Sequence, residues 1–349
     1  MSIRVPWVDL ATKFERVGIH DKIGEILQSG HFIGGEKVAQ LEQSIASWMH
    51  RDHAVAVSSG TAALELGLRA LDIGPGDEVS VPAVSFVATV GAVLRVGATP
   101  VVVDVLERGP WIDPVAAAKA VGPHTRLVIP VHLYGTAAPP LDLGIPIFDD
   151  ACQAVCPGGP SFGVLTALSF YPTKFLGGVG DGGMILVDDA ELAQRLGRMR
   201  NHGMDGSGHV VETGGTNARM DAIKAAVLLA QLETMTEELE RRRSVANALD
   251  GVLGARVVAR SGDGPVSVYA FCHPDRDAVA QALQTNGIAT AMYYPRMVHD
   301  HDGIRDRVRI SGDLDHAKRY CATTLSIPCH GGLTGPQVAH MVQTLERIV

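Results

Sequence analysis

Lys174 is the residue of this sequence best placed for covalent chemistry. It follows Leu168-Ser169-Phe170-Tyr171-Pro172-Thr173, a strand-like apolar run ending in proline and threonine, and precedes the glycine-rich stretch Phe175-Leu176-Gly177-Gly178-Val179-Gly180-Asp181-Gly182-Gly183. Lysine is costly to bury, and desolvation that lowers its pKa turns the amine into a nucleophile able to form a Schiff base. The glycines leave little bulk around it, so a flat ligand could approach the backbone closely. A turn between two strands carrying a solvated lysine fits the same residues. A dinucleotide fingerprint does not: Gly178–Gly183 runs into Met184-Ile185-Leu186-Val187, a strand pattern, where that fingerprint must open a helix.

Three other segments keep this lysine company. Ser58-Ser59-Gly60-Thr61 stands between the strand pattern of residues 53–57 and an Ala- and Leu-rich helix pattern over 62–71. Free N–H groups at a helix N-terminus bind anions, although Ser and Thr are also ordinary N-caps. Asp149-Asp150 ends the apolar run Ile145-Pro146-Ile147-Phe148, at the strand end where open α/β sheets place ligands. Gly215-Thr216-Asn217-Ala218-Arg219-Met220-Asp221 follows a polar, glycine-rich loop, and Asn217 would also suit the cap of a helix starting near Asp221.

In this order the motifs resemble the sugar aminotransferases named after the DegT, DnrJ, EryC and StrS proteins, fold-type I enzymes that use pyridoxal 5'-phosphate. The resemblance runs from about Val5 to the C-terminal region, and the lysine motif is its most specific part. It implies two catalytic residues: Lys174 as the Schiff-base lysine and Asp150 as partner of the pyridine nitrogen. A carboxylate there keeps the nitrogen protonated, so the ring can accept electrons. It further implies that Gly60, Thr61 and Ser169 hold the phosphate, that Gln153 contacts the 3-oxygen and that Phe86 stacks on the ring. Asn217 would reach the phosphate of a neighbouring subunit. Arg219, His202 and Tyr293 would face the substrate, Tyr293 standing where relatives commonly carry His. Asp149 is expected to be structural.

The activity so implied is transfer of an amino group, from L-glutamate, to a keto group of a nucleotide-linked deoxysugar in amino sugar or natural product biosynthesis. The acting unit would be a homodimer with shared sites. A keto-cyclitol aminotransferase and a non-catalytic, cofactor-binding regulatory protein are the alternatives. The dehydratase branch replaces the lysine that this sequence retains.

Several elements must position these groups. Strand patterns over 78–81, 99–104 and 126–132 alternate with helix patterns over 36–49, 82–96, 113–120 and 189–200. Alternation of this kind predicts an α/β fold with a mostly parallel sheet and helices on both faces. The resemblance specifies seven strands, a large domain over 1–240 including an N-terminal arm, and a small α+β domain over 241–349. Residues 221–250 are expected to form one long or kinked helix between them. One departure stands out: residues 136–144, with Pro139 and Pro140, are too few for the helix that relatives carry after Gly135.

Composition bounds the rest. A chain of 349 residues with 46% apolar and 19% charged residues has ample core material for two lobes. The net charge of −8 disfavours a nucleic-acid partner, which calls for a basic stripe. Cys152, Cys156, Cys272, Cys321 and Cys329 are odd in number and irregularly spaced, giving no disulfide framework or zinc pattern. His299-Asp300-His301-Asp302 resembles a metal cluster only superficially, so no metal is expected. The N-terminal residues lack the apolar core of a signal peptide, and no apolar run is long enough to span a bilayer. A cytoplasmic protein with reduced thiols is expected.

Overall fold

The computed structural model describes residues 4–258, 260 and 264–349. Its strands are β1 (His53–Val57), β2 (Glu78–Pro82), β3 (Thr99–Val103), β4 (Thr125–Val128), β5 (Phe148–Asp150), β6 (Leu165–Ser169), β7 (Gly183–Val187), β8 (Tyr269–Cys272), β9 (Arg309–Ile310) and β10 (Thr324–Ile327). One four-stranded sheet runs β1-β7-β6-β5, another runs β4-β2-β3-β9, and β8 pairs with β10 separately. The β2·β3, β2·β4, β3·β9 and β5·β6 pairs are parallel; β1·β7 and β6·β7 are antiparallel.

The single seven-stranded sheet expected from the sequence is therefore resolved into two sheets, and proline is the reason. Pro130 has no N–H to donate and ends β4 at Val128 rather than at His132, while Pro146 delays the start of β5. Between the two sheets only the parallel bridges Val128–Ile147 and Val131–Asp150 form, with Asp150 N–H donating to Pro130 O at 2.9 Å. The strand ends still line up across the gap.

Helices are α1 (Leu10–Glu15), α2 (Ile19–Ser29), α3 (Glu36–Trp48), α4 (Gly60–Ala70), α5 (Val87–Arg95), α6 (Pro114–Ala120), α7 (Ala190–Met199), α8 (Ala222–Leu232), α9 (Met235–Leu253), α10 (Arg276–Thr285), α11 (Asp302–Arg305), α12 (Asp315–Thr323) and α13 (Gly335–Ile348). Most start where a side chain can replace missing backbone partners. Ser59, Asp113, Asp189 and Asp221 each accept from an N–H in the first turn of α4, α6, α7 and α8. Asp221 and not Asn217 is thus the cap of α8. Of the long or kinked helix expected over 221–250, the kinked form is the one observed: α8 and α9 follow each other with a break at Glu233 and Thr234. Residues 136–147 form no helix, so the covering helix absent from the sequence pattern is absent from the fold.

Three large apolar clusters fill the interior, and a fourth, small one joins Ile26 of α2 to Ala222 and Ala226 of α8. The largest packs α4, α5 and α6 against β2, β3 and β4, and it also takes Val298, Leu314, Ala317 and Tyr320 from beyond residue 241. A second gathers Leu41 and Ile45 of α3 with β7 and α8. A third joins α9, β8 and β10 to the last helix and to Val5, which bridges Ile288. The N-terminal arm therefore packs on C-terminal residues. Among the described residues, no helix is long and apolar enough to cross a membrane.

A close approach lies where α4 crosses the sheet. A Cβ at Gly67 would sit 2.4 Å from Phe148 Cζ and 3.2 Å from Leu165 Cδ1, and Phe148 is fully buried directly before the acidic pair. Gly67→Ala should destabilise the fold by about 1–3 kcal/mol through overpacking. A lowered urea midpoint with unchanged m-value checks it; a variant as stable as the parent would contradict this packing.

Candidate active site

The C-terminal ends of β1, β5 and β6, the turn after β6 and the arm before α1 enclose a cavity of about 430 Å³. Its lining includes Gly60, Thr61, Phe86, Asp150, Gln153, Ser169, Lys174 and Tyr293, residues scattered over more than 230 positions of sequence. Every site residue expected within one chain is thus brought together except Arg219 and His202, while Asn217, expected to reach a neighbouring subunit, also lies outside this cavity. Arg219 donates to Asn201 Oδ1 at 2.9 Å and to Asn217 Oδ1 at 3.2 Å, while His202 is exposed in a turn. These three do not line the cavity of their own chain. Their segment nonetheless lies beside the cradle, since Ser58 N–H donates to Ala218 O at 2.8 Å.

At one end of the cavity, β1 turns through Ser58 and Ser59 into α4. Ser59 Oγ accepts from Ala62 N–H at 3.0 Å, which leaves the earlier N–H groups of the helix for a ligand. A Cβ on Gly60 would lie 2.8 Å from Ser169 Cβ and 2.9 Å from Cys152 Sγ, and one on Gly183 would lie 2.3 Å from the Ser59 carbonyl carbon. Glycine at both positions keeps this end close and open, with the Thr61 and Ser169 hydroxyls beside it.

At the other end stands Asp150. Its Oδ2 accepts from the Thr89 hydroxyl at 2.8 Å and its Oδ1 from Cys152 N–H at 3.2 Å, which aims a buried carboxylate into the cavity. Its neighbour Asp149 faces the other way, as alternation along a strand requires. Asp149 Oδ2 accepts from Phe162 and Gly163 N–H, both at 2.6 Å, and Oδ1 lies 3.0 Å from His132 Nε2. Because His132 Nδ1 accepts from Ala138 N–H at 2.9 Å, Nε2 carries the proton and donates to Asp149. This buried knot ties down both short segments, 136–147 and 156–164, behind the strand that presents Asp150.

Lys174 lies between the two ends. Burial pushes its amine below the ordinary lysine value, with Cys152 and Asp150 opposing. Gln153 Oε1 accepts from Tyr134 N–H at 3.0 Å and its amide donates to the Tyr294 hydroxyl at 3.1 Å. Trp7 and Tyr293, with ring centroids 5.7 Å apart, and Tyr294, 6.2 Å from Phe86, make an aromatic wall. Thr89, Cys152, Tyr294 and Trp7 were not singled out from sequence; Thr89 three residues after Phe86 at a helix start was the only available signal.

An anion cradle, a desolvated amine and a carboxylate in one cavity suit pyridoxal phosphate: hydroxyls and N–H groups for the phosphate, Asp150 for a protonated ring nitrogen, Lys174 for the aldehyde. Among the described residues, no three His, Cys, Asp or Glu side chains gather where they could hold a metal ion.

Fold and cavity together are those of an α/β aminotransferase of fold type I. More narrowly, the chain belongs to the DegT/DnrJ/EryC1/StrS aminotransferase family, a sequence model of which matches residues 15–346. It is 36% identical, over 98% of its length and 96% of the relative's, to dTDP-3-amino-3,4,6-trideoxy-alpha-D-glucose transaminase of Streptomyces venezuelae. The crystal structure of S. venezuelae DesV in complex with a ketimine intermediate superposes with a TM-score of 0.92 at 35% identity, covering 99% of this chain and 98% of that one. The NtdA structure from Bacillus subtilis, with bound cofactor PMP, superposes with a TM-score of 0.90 at 27% identity, covering 99% and 85%.

A lowered lysine pKa means that the neutral, nucleophilic amine appears at lower pH than on surface lysines. In protein freed of cofactor, an amine-reactive reagent should therefore modify Lys174 faster than Lys37 or Lys119 at pH 8, and the difference should shrink as pH approaches about 10.4, the ordinary lysine value. Peptide mapping across pH measures it; a Lys174 profile matching the surface lysines would show no desolvation.

Proposed function

We propose that this protein is a pyridoxal phosphate-dependent aminotransferase that moves an amino group, from L-glutamate, onto a keto carbon of a nucleotide-linked deoxysugar. The observation that carries the reading is the meeting of Lys174, Asp150 and the Gly60 cradle in one cavity, in a chain so similar to a dTDP-sugar transaminase. When bound, the cofactor supplies an aldehyde for an amine and a ring that takes up the electrons left by a departing proton.

The residues divide the work. Gly60, Thr61 and Ser169 would hold the phosphate. Asp150 would keep a proton on the ring nitrogen, and Thr89 with Cys152 N–H fixes that carboxylate. Lys174 is placed to take up and return a proton as general base. Phe86 and Gln153 would contact the ring, and Trp7, Tyr293 and Tyr294 offer apolar faces to a sugar that has lost hydroxyls.

A second copy completes the site in this reading. Phe86 and Tyr171 line the cavity yet are 56% and 50% exposed, and Phe32 and Ile33 lie bare nearby in sequence to the arm. Asn217, Arg219 and His202, which miss their own cavity, would reach the partner's. The chain is read as acting in the cytoplasm.

Two experiments test this. Loaded Asp150→Asn should keep its cofactor but convert L-glutamate to 2-oxoglutarate at least about tenfold more slowly, since one unit of lost pKa support is worth about 1.4 kcal/mol. An unchanged donor half-reaction would remove Asp150 from the ring, and no turnover with any amino donor would favour a regulatory protein. Separately, mixing Lys174→Ala chains with Asn217→Ala chains should restore activity, because one site of each hybrid keeps both native residues. Hybrids that form but stay inactive would show that Asn217 serves its own chain or none.

A further inference from the structure

The turn carrying Lys174 is held from outside by a residue that sequence reading passed over. Lys13, on α1 and 161 positions earlier, directs its ammonium at three backbone carbonyls of that turn: Lys174 O at 3.0 Å, Phe175 O at 3.2 Å and Gly177 O at 3.5 Å. Three acceptors match the three N–H donors of an ammonium, and charge-assisted bonds are the stronger kind. The turn lies outside any helix or strand, so its carbonyls depend on partners from elsewhere. Gln231 Nε2 supplies a further one, to Gly177 O at 2.6 Å. The backbone is packed tightly there: a Cβ on Gly177 would lie 2.3 Å from Pro172 O.

The surroundings of Lys13 are crowded with charge. Asp9 and Arg16 come from its own arm, Lys174 from the turn, Glu238, Arg241 and Arg242 from α9, and His330 from the C-terminal segment. Arg242 donates to Glu238 Oε1 at 2.7 Å and lies over the Phe175 ring, its guanidinium carbon 5.3 Å from the centroid. Arg16 approaches Glu238 at 3.9 Å. Burial first, then Arg242, push the Lys13 ammonium down to about 7, with Glu238 opposing. The same arm brings Trp7 to the cavity wall, so one segment touches both the wall and the floor of the site.

We propose that Lys13 is the positioning residue for Lys174, its ammonium fixing the peptide planes of Lys174, Phe175 and Gly177 so that the Lys174 side chain enters the cavity in one orientation. The proposal rests on the reading of Lys174 as the reactive amine. A neutral Lys13 has two N–H donors and a lone pair that would face a carbonyl, so the turn is held most firmly below pH 7 and loosens as pH rises through that value. Arginine, which does not titrate in this range, would keep a charged donor set at every pH.

The test is amide hydrogen exchange of peptides spanning 170–178, compared between wild type, Lys13→Met and Lys13→Arg from pH 6 to 9, after correction for the ordinary base dependence of exchange. At pH 6.5, exchange in this turn should rise about tenfold or more in Lys13→Met, as loss of a buried charged donor predicts, while β2 and β3 stay as protected as before. Wild type should approach the Lys13→Met value above pH 7, and Lys13→Arg should stay protected throughout. In loaded enzyme, Lys13→Met should lower kcat with little change in KM for the donor and shift the pH at which the visible cofactor band changes. Equal turn exchange in wild type and folded Lys13→Met would overturn the proposal, as would a loosening spread evenly over all strands. If Lys13→Met does not fold, a wild-type turn whose corrected exchange is flat across pH 7 overturns it equally. Borohydride trapping of the cofactor on another lysine would overturn the reading of Lys174, and with it what Lys13 positions. Trapping on Lys174 with an unresponsive turn would overturn the role of Lys13 alone.

Discussion

Everything around the cavity answers to one electrostatic demand: an amine and a carboxylate must be kept out of water, near each other and correctly protonated. Desolvation works against both charged forms. The Lys174 amine responds by a lowered pKa, whereas Asp150 is given two hydrogen-bond donors, Thr89 and Cys152 N–H. The amine is thereby left easy to deprotonate, and the carboxylate is left anchored. Neither condition could be met on a surface loop, which explains why Asp150 ends a buried strand and Lys174 stands in the turn that follows another.

Bringing the groups to that edge requires backbones to approach more closely than side chains normally allow. Gly67 lets α4 settle on Phe148, Gly60 lets the first turn of α4 touch Ser169 and Cys152, and Gly183 lets β7 pass under Ser59. The first two contacts join α4 to the strand bearing Asp150 and to the one leading to Lys174, and the third joins the turn before α4 to β7. The distance between the Gly60 end and the Asp150 end of the cavity is thus set by packing.

The shortened segments after Gly135 and Cys156 show how the fold does without a covering helix. His132, Asp149 and the amides of Ala138, Phe162 and Gly163 form a fully paired buried network in its place. Such a network holds two irregular loops against the back of β5 with directional bonds, where a helix would have used apolar area. Phe162 and Val164 remain exposed on this side, the visible consequence of the missing cover.

Much of this was legible from residue order. The strand–helix alternation reflects a burial pattern with its own period, and the caps at Ser59, Asp113 and Asp189 act over three residues, so local sequence determines them. The motifs around Gly60, Asp150, Ser169 and Lys174 could likewise be placed at strand ends, because each is a short segment whose conformation its own residues dictate. What the sequence could not determine depends on contacts between distant segments. Prolines 130 and 146 divided an expected continuous sheet only through the pairing they denied to each other's strand, and nothing local marks Glu233 and Thr234 as the place where the helix over 221–250 kinks. Thr89 as the partner of Asp150, the Tyr134–Gln153–Tyr294 chain and the reach of Lys13 across 161 positions to the Lys174 turn were decided by tertiary structure alone. A hydrogen bond has no sequence signature when its two ends are brought together only by the packing of everything between them.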